Sequence, residues 1–199
     1  MSRIIGVTGP SGSGKSVLCK RLSDLGIPCI NADEVYHSML TPPSRCLDAI
    51  VRVFGADMLA DDGSLNRSTL STRVFSNPDL LTLLNETVLP IVIDRINELI
   101  SELDANGAHT VVLDAPTLIE SGFHKSCDMI IVITAPKADR IQRIMSRDGI
   151  SKDHATKRVI SQKDDDFYLS VADITLFNNK DEDSFLASVN ELATAITTL

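Results

Sequence analysis

The chain has 199 residues, 43% of them hydrophobic, and a formal charge of −8, which is room for one α/β domain with an insertion but not for two independent enzymes. The acidic balance argues against nucleic acid as a partner, because phosphate backbones select basic surfaces, and no run approaches the roughly 18 apolar residues of a membrane-spanning helix. The opening Met1-Ser2-Arg3-Ile4-Ile5 enters a strand with no secretory pattern, and Cys19, Cys29, Cys46 and Cys127 form no C-x-x-C pair; both features fit a cytoplasmic protein with free thiols.

In chain order, Ile4–Val7 is a short β-branched run that reads as a buried parallel strand. It leads into Gly9-Pro10-Ser11-Gly12-Ser13-Gly14-Lys15-Ser16, which matches G-x-x-x-x-G-K-[ST], and then into a helix over Lys15–Leu25 closed by Gly26. In that context the glycines let successive N–H groups turn inward as an anion nest at a helix N-terminus. Lys15 is positioned to meet the β- and γ-phosphates of ATP, and the Ser16 hydroxyl to ligate Mg²⁺.

A second strand, Pro28–Ile30, ends at Asn31-Ala32-Asp33. Asp33 has two readings: a base that takes the proton of an attacking hydroxyl, or the cap of a helix starting at Glu34. About eighty residues then separate this strand from the next at Thr110, far more than one crossover helix needs. The surplus predicts a helical insertion over residues 34–105, punctuated by turns at Thr41-Pro42-Pro43 and Asp61-Asp62-Gly63. Within it Leu80–Leu103 carries helical periodicity that Pro90 is expected to divide in two.

Thr110–Leu113 ends in Asp114, which has two readings: a carboxylate that holds Mg²⁺ beside a phosphate loop, or a polar residue leaving a strand; Glu120 follows as a candidate for the same cleft. After a fourth strand at Met129–Ile133, helices are expected over Asp139–Arg147 and Ser151–Gln162, with Ser151 as N-cap. Arg140, Arg143 and Arg147 share one helical face there. Either they converge on phosphates as part of a lid over about 140–165, or they form a solvated basic face. A weaker strand at Ile174–Leu176 and a helix over Asp183–Leu199 complete the chain. The expected fold is α/β: a parallel P-loop sheet of about five strands with helices on both sides. Residues 1–33 and 106–199 form its nucleotide-binding core.

Several blocks in this order resemble the dephospho-CoA kinase family over essentially the whole chain. They are Gly9–Ser16, Asn31-Ala32-Asp33, Phe54-Gly55, Asp62–Arg67, Val74-Phe75, Asp114-Ala115-Pro116 with Leu118 and Glu120, Arg143–Gly149, Gln162, Ala172-Asp173 and Asn178. The resemblance implies phosphorylation of the ribose 3′-hydroxyl of dephospho-CoA by ATP with Mg²⁺, the last step of coenzyme A synthesis. It makes Asp33 the base, Lys15, Arg143 and Arg147 its catalytic companions, and Arg67 and Glu120 substrate contacts. Gly9, Ser11, Gly12, Ser13, Gly14, Ser16, Val17 and Asn178 would hold the nucleotide, with Ser16 and Asp114 on the metal. The chain departs from the family pattern at Asn31 (Asp is usual), at Leu89 before Pro90 (His is usual), at Val17 (Thr is usual), and at Phe177 and Lys180 around Asn178. Two rival readings remain: a kinase of the same fold for a nucleoside, nucleotide or sugar acid, and a P-loop switch, although the chain lacks the guanine-reading N-K-x-D motif.

Overall fold

The computed structural model describes residues 1–75, 77–179 and 181–198, and of Phe75 the backbone alone. Lys180 and the Leu199 end of the last expected helix lie outside the described residues. The elements run β1 (Arg3–Thr8), α1 (Lys15–Asp24), β2 (Cys29–Asn31), α2 (Ala32–Ser38), α3 (Arg45–Phe54), α4 (Arg67–Phe75), α5 (Pro78–Ala105), β3 (Thr110–Asp114), β4 (Met129–Thr134), α6 (Lys137–Asp148), α7 (Lys152–Ile160), α8 (Asp165–Leu169), β5 (Ile174–Phe177) and α9 (Glu182–Thr197). Contacts divide the chain into one unit of residues 1–30 with 102–199 and another of residues 31–101.

The first unit is organised by a five-stranded sheet in the order β2-β3-β1-β4-β5, with β1–β3, β1–β4 and β4–β5 parallel. Alternation along β1 assigns its two faces. Ile5 and Val7 join Leu18 and Leu22 of α1 and Phe185, Val189 and Ala193 of α9 in one apolar cluster. Gly6 points the other way, where a Cβ would stand 2.6 Å from Leu118 and 2.9 Å from the Cys127 sulfur. This is the P-loop fold expected, with β1 central, so the chain leaves β1 between two neighbours whose carboxyl ends open the usual ligand crevice. α6 and α7 form a hairpin with a small core of its own, Ile144, Ala155 and Val159, backed by Ile141, Met145 and Ile150. Ser151 caps α7 by accepting from the His154 N–H, and Gly149 (φ 64°) turns the chain between the two helices.

The second unit is helical. Ser44 caps α3 by accepting from the Cys46 and Leu47 amides, and Asn66 accepts from the Thr69 amide at the start of α4. Arg73 ties these helices together by donating to the Phe54 carbonyl and pairing with Asp57. Its buried apolar residues include Leu47, Ile50, Met58, Leu70, Leu84 and Val88.

Pro90 does not divide the long helix: α5 is continuous from Pro78 to Ala105. Its buried residues Leu84, Val88, Val92, Ile96 and Ile100 recur every four positions straight through the proline. Pro90 itself is on the exposed side, where the carbonyl one turn earlier loses its N–H partner to solvent instead of to the core. Continuous burial of one stripe outweighs the local cost of the ring. Among the described residues no helix is long and apolar enough to cross a membrane.

Candidate active site

β1 delivers the chain into the glycine-rich loop, whose carbonyls at positions 11 to 13 are each engaged by a side chain from elsewhere in the core. Gly9 has φ 134°, and a Cβ there would lie 2.2 Å from the Ile133 carbonyl oxygen of β4, so only glycine lets the loop leave between the strands. Gly14 has φ 114°, and its Cβ would fall 2.8 Å from the Asn178 amide nitrogen.

Three consecutive loop carbonyls are held from outside by three side chains. The Arg140 Nε donates to Ser11 O at 3.0 Å, Arg143 to Gly12 O at 3.2 Å, and the Asn178 Nδ2 to Ser13 O at 2.8 Å. The other end of the Asn178 carboxamide accepts from Arg143 at 2.9 Å, so both halves of this buried side chain are engaged. Holding carbonyls 11 to 13 fixes the peptides that carry the Gly12, Ser13 and Gly14 amides, the Ser13 amide being bonded to Pro10 O at 3.2 Å, and fixed loop amides of this kind are what an anion nest is built from.

Lys15 is buried, and its Nζ donates to Gly9 O at 2.7 Å and Pro10 O at 3.3 Å. The Ser13 side chain is fully buried. Ser16 lies exposed in the first turn of α1. Val17 turns toward the core cluster, and its amide donates to Gly14 O at 3.0 Å. Its side chain packs there, and an apolar residue in place of threonine suits that position.

Asp114 closes β3 in register with Val7 and is 8% exposed. Asp114 and Lys15 both act on the Cys19 thiol of α1, which is pushed well up by its hydrogen bond with Cys29, by burial and by the Asp114 charge, with Lys15 opposing. The carboxylate and the ammonium thus share one neighbourhood beside the loop. A serine hydroxyl and a carboxylate are hard oxygen donors, the kind Mg²⁺ takes together with phosphate oxygens and water, so the chemistry of Ser16 and Asp114 fits that ion.

The three arginines of α6 separate. Arg140 is 1% exposed and, besides Ser11, donates to the Gln162 Oε1 at 2.7 Å; burial lowers its pKa. Asp165 stands 3.9 Å from the same guanidinium. Arg147 instead pairs with Asp148 at 2.6 Å and stays largely exposed, as does Arg158 on the same carboxylate. Seven residues beyond Arg140, about 10 Å along the helix axis, Arg147 has passed the loop that Arg140 and Arg143 grip. Gln162 completes the set at the loop: its Oε1 accepts from the Ser11 amide at 3.1 Å and its Nε2 donates to the Ser11 Oγ at 2.9 Å. The sequence leaves Arg140 open between the phosphates and a solvated face and places Gln162 at the end of the hairpin and among the family blocks; neither reading has them bonded to the loop, because nothing in local spacing shows which residues reach back across 129 and 151 positions.

Glu120 is exposed and close enough to the buried Tyr168 to help raise its pKa, after burial itself. In the other unit, Asn31 is the N-cap of α2, its Oδ1 accepting from the Asp33 and Glu34 amides at 3.0 and 3.1 Å. The helix starts at Ala32, two residues earlier than expected, so capping falls to Asn31 and the Asp33 carboxylate is exposed in the first turn. Asparagine caps as well as aspartate, which makes the Asn31 departure benign for the helix. Arg67 opens α4, exposed, within electrostatic reach of Tyr36 of α2.

The family model for dephospho-CoA kinase matches residues 3–183. A dephospho-CoA kinase of Dehalococcoides mccartyi is 36% identical over 177 residues, 89% of each chain. One of Corynebacterium efficiens is 31% identical over 194 residues, 98% of this chain and 97% of its own. The solved dephospho-CoA kinase from Campylobacter jejuni superposes with a TM-score of 0.75 at 27% identity, covering 100% of this chain and 98% of that one.

Proposed function

The chain belongs to the dephospho-CoA kinase family, and from that premise we propose which of its residues carry the family's reaction. It transfers the γ-phosphoryl group of ATP to the ribose 3′-hydroxyl of dephospho-CoA, giving coenzyme A and ADP, the last step of coenzyme A synthesis. The observation that carries the assignment of roles is the loop Gly9–Ser16, whose carbonyls 11 to 13 are held by Arg140, Arg143 and Asn178. Its amides and Lys15 hold the phosphates, so little reorganisation is left for the transition state. Asn178 serves the nucleotide by bracing the loop.

Asp33 accepts the proton of the attacking hydroxyl. Supporting this, Asn31 already supplies the cap that would otherwise occupy an aspartate. Residues 31–101 form the unit that receives dephospho-CoA, where Arg67 offers a fork to a substrate phosphate; Glu120 in the core is a hydrogen-bond acceptor for the same substrate. Arg147 neutralises charge on the transferring group when the α6–α7 hairpin closes. Ser16 and Asp114 would hold Mg²⁺, which supplies charge neutralisation across the β- and γ-phosphates. The enzyme works in the cytoplasm on these two small molecules, with neither nucleic acid nor membrane as partner, in keeping with its charge of −8.

The test is ADP release across a panel of acceptors with a Lys15→Ala control. Dephospho-CoA should be the preferred acceptor, and the folded variant should lose roughly 10²-fold or more in rate, the scale of a contact to developing phosphate charge. Preference for a nucleoside or sugar acid, or inorganic phosphate released without any acceptor, would overturn the assignment.

A further inference from the structure

Ser11 has three hydrogen-bonding groups, and all three are taken by side chains from the two ends of the α6–α7 hairpin. Its N–H donates to the Gln162 Oε1 at 3.1 Å, its Oγ accepts from the Gln162 Nε2 at 2.9 Å, and its carbonyl accepts from the Arg140 Nε at 3.0 Å. A further bond, Arg140 to the Gln162 Oε1 at 2.7 Å, joins the two ends and fixes which way the carboxamide points. Gln162 lies just past the end of α7 at Ile160, and Arg140 one turn into α6. Everything between them is therefore a hairpin whose two ends both meet Ser11 of the phosphate loop.

We propose that Gln162 is a positioning residue for phosphoryl transfer: with Arg140 it locks the Ser11 peptide and ties the base of the α6–α7 hairpin to the nucleotide site. The proposal rests on Gly9–Ser16 being that site. The side-chain chemistry is specific. Ser11 presents one donor and one acceptor to Gln162, and a carboxamide is the neutral group that answers both. A glutamate can only accept, so the Ser11 hydroxyl would have to turn its proton toward it. It would also cancel the Arg140 charge, which is 1% exposed and otherwise met by neutral acceptors and by Asp165 at 3.9 Å, itself half-exposed. Neutral Gln162 thus leaves a buried cation beside a loop that must attract phosphate, where screening by solvent is weak. The contact also shapes the loop. An unheld Ser11 peptide can rotate, and a rotated peptide turns a carbonyl where the nest needs an amide.

Two variants separate positioning from bulk stability. Gln162→Ala is expected to raise KM for ATP about tenfold, the scale of the two lost bonds to the half-buried Ser11 amide and hydroxyl. KM for dephospho-CoA should stay within about twofold of the starting value, and hydrogen exchange of amides 9–16 should quicken. Gln162→Glu should raise KM for ATP further still, while its new pair with Arg140 keeps the melting temperature at or above that of the unmodified protein. ATP binding that weakens while stability holds is a result no purely structural role yields. Unchanged KM for ATP in both variants would overturn the proposal. So would parallel losses in both KM values and in melting temperature. Lys15→Ala keeps the outcomes apart: if it binds ATP unimpaired, the nucleotide-site reading itself is wrong, whereas loss in Lys15→Ala with none in the Gln162 variants removes only this inference.

Discussion

Asn178→Asp replaces one NH₂ by oxygen, and the surroundings of Asn178 give the exchange a definite cost. The Nδ2 of Asn178 donates to Ser13 O at 2.8 Å while its Oδ1 accepts from Arg143 at 2.9 Å, in a side chain that is 5% exposed. In the variant the oxygen facing Arg143 gains a charge-assisted bond, but the other meets a carbonyl oxygen with no proton between them. Losing the bond to Ser13 costs about 1 kcal/mol, and stranding a buried acceptor adds about 1–3 kcal/mol. The stronger pair with Arg143 offsets about 1 kcal/mol. The net is about 2 kcal/mol, roughly 30-fold in an equilibrium constant. It falls on the Ser13 peptide, two residues from Lys15, so it should appear in kcat/KM for ATP. Protonating the introduced carboxyl would restore a donor to Ser13 O, so protons favour the native loop and the deficit should shrink as pH falls and be largest on the alkaline side. The assay is coupled ADP release with ATP titrated at saturating dephospho-CoA across that range, with a melting curve at each pH. A kcat/KM for ATP within about twofold of the parent at every pH would refute the bracing argument, since a 2 kcal/mol penalty cannot be hidden in a twofold change.

Asp33→Asn should leave KM for ATP and the melting temperature near their original values, because Asn31 caps α2, yet lower single-turnover transfer by roughly the 10²–10⁴ of general-base catalysis; unchanged transfer would move the base elsewhere. Arg143→Lys places one nitrogen where a fork spans Gly12 O and Asn178, so KM for ATP should rise about tenfold, and an unaltered KM would count against the bracing role. Arg147→Lys retains a cation for Asp148 and should lower kcat with little change in KM. The same closure should slow hydrogen exchange across residues 141–161 when ATP and a dephospho-CoA analogue are bound together, and a lack of slowing would remove the moving lid.

The sheet was legible because its strands are short β-branched runs whose burial on both faces leaves little freedom in assignment: Ile4–Val7, Thr110–Leu113 and Met129–Ile133 all sit inside the observed strands. The phosphate loop was legible because its residue types follow from its chemistry. Helix ends were harder, since they depend on which of two capable side chains takes the amides; at Asn31-Ala32-Asp33 both could, and Asn31 does. Pro90 shows local cost losing to a stripe of burial that spans it. The arginines show a different limit. A helical face is visible in spacing, but where that face ends against the loop is a tertiary fact, and it separates Arg140 and Arg143 from Arg147.

That separation bears on how charge is handled during transfer. Arg140 and Arg143 each place two N–H groups on loop carbonyls, on Gln162 and on Asn178, so the role proposed for them toward the phosphates is that of a fixed field. Lys15 differs, because its bonds to Gly9 O and Pro10 O are to neutral acceptors, and phosphate oxygens offer the same ammonium a charged and stronger partner. Arg147 differs again, being exposed and, among the described residues, paired with the Asp148 carboxylate at the end of its own helix. An exposed ion pair of that kind is worth about 0–1 kcal/mol, small beside what a phosphoryl group would offer in the role proposed for Arg147. Arg147 is thus the arginine of the three that can change partners cheaply, and contacts that change between ground and transition state are the ones that accelerate a reaction.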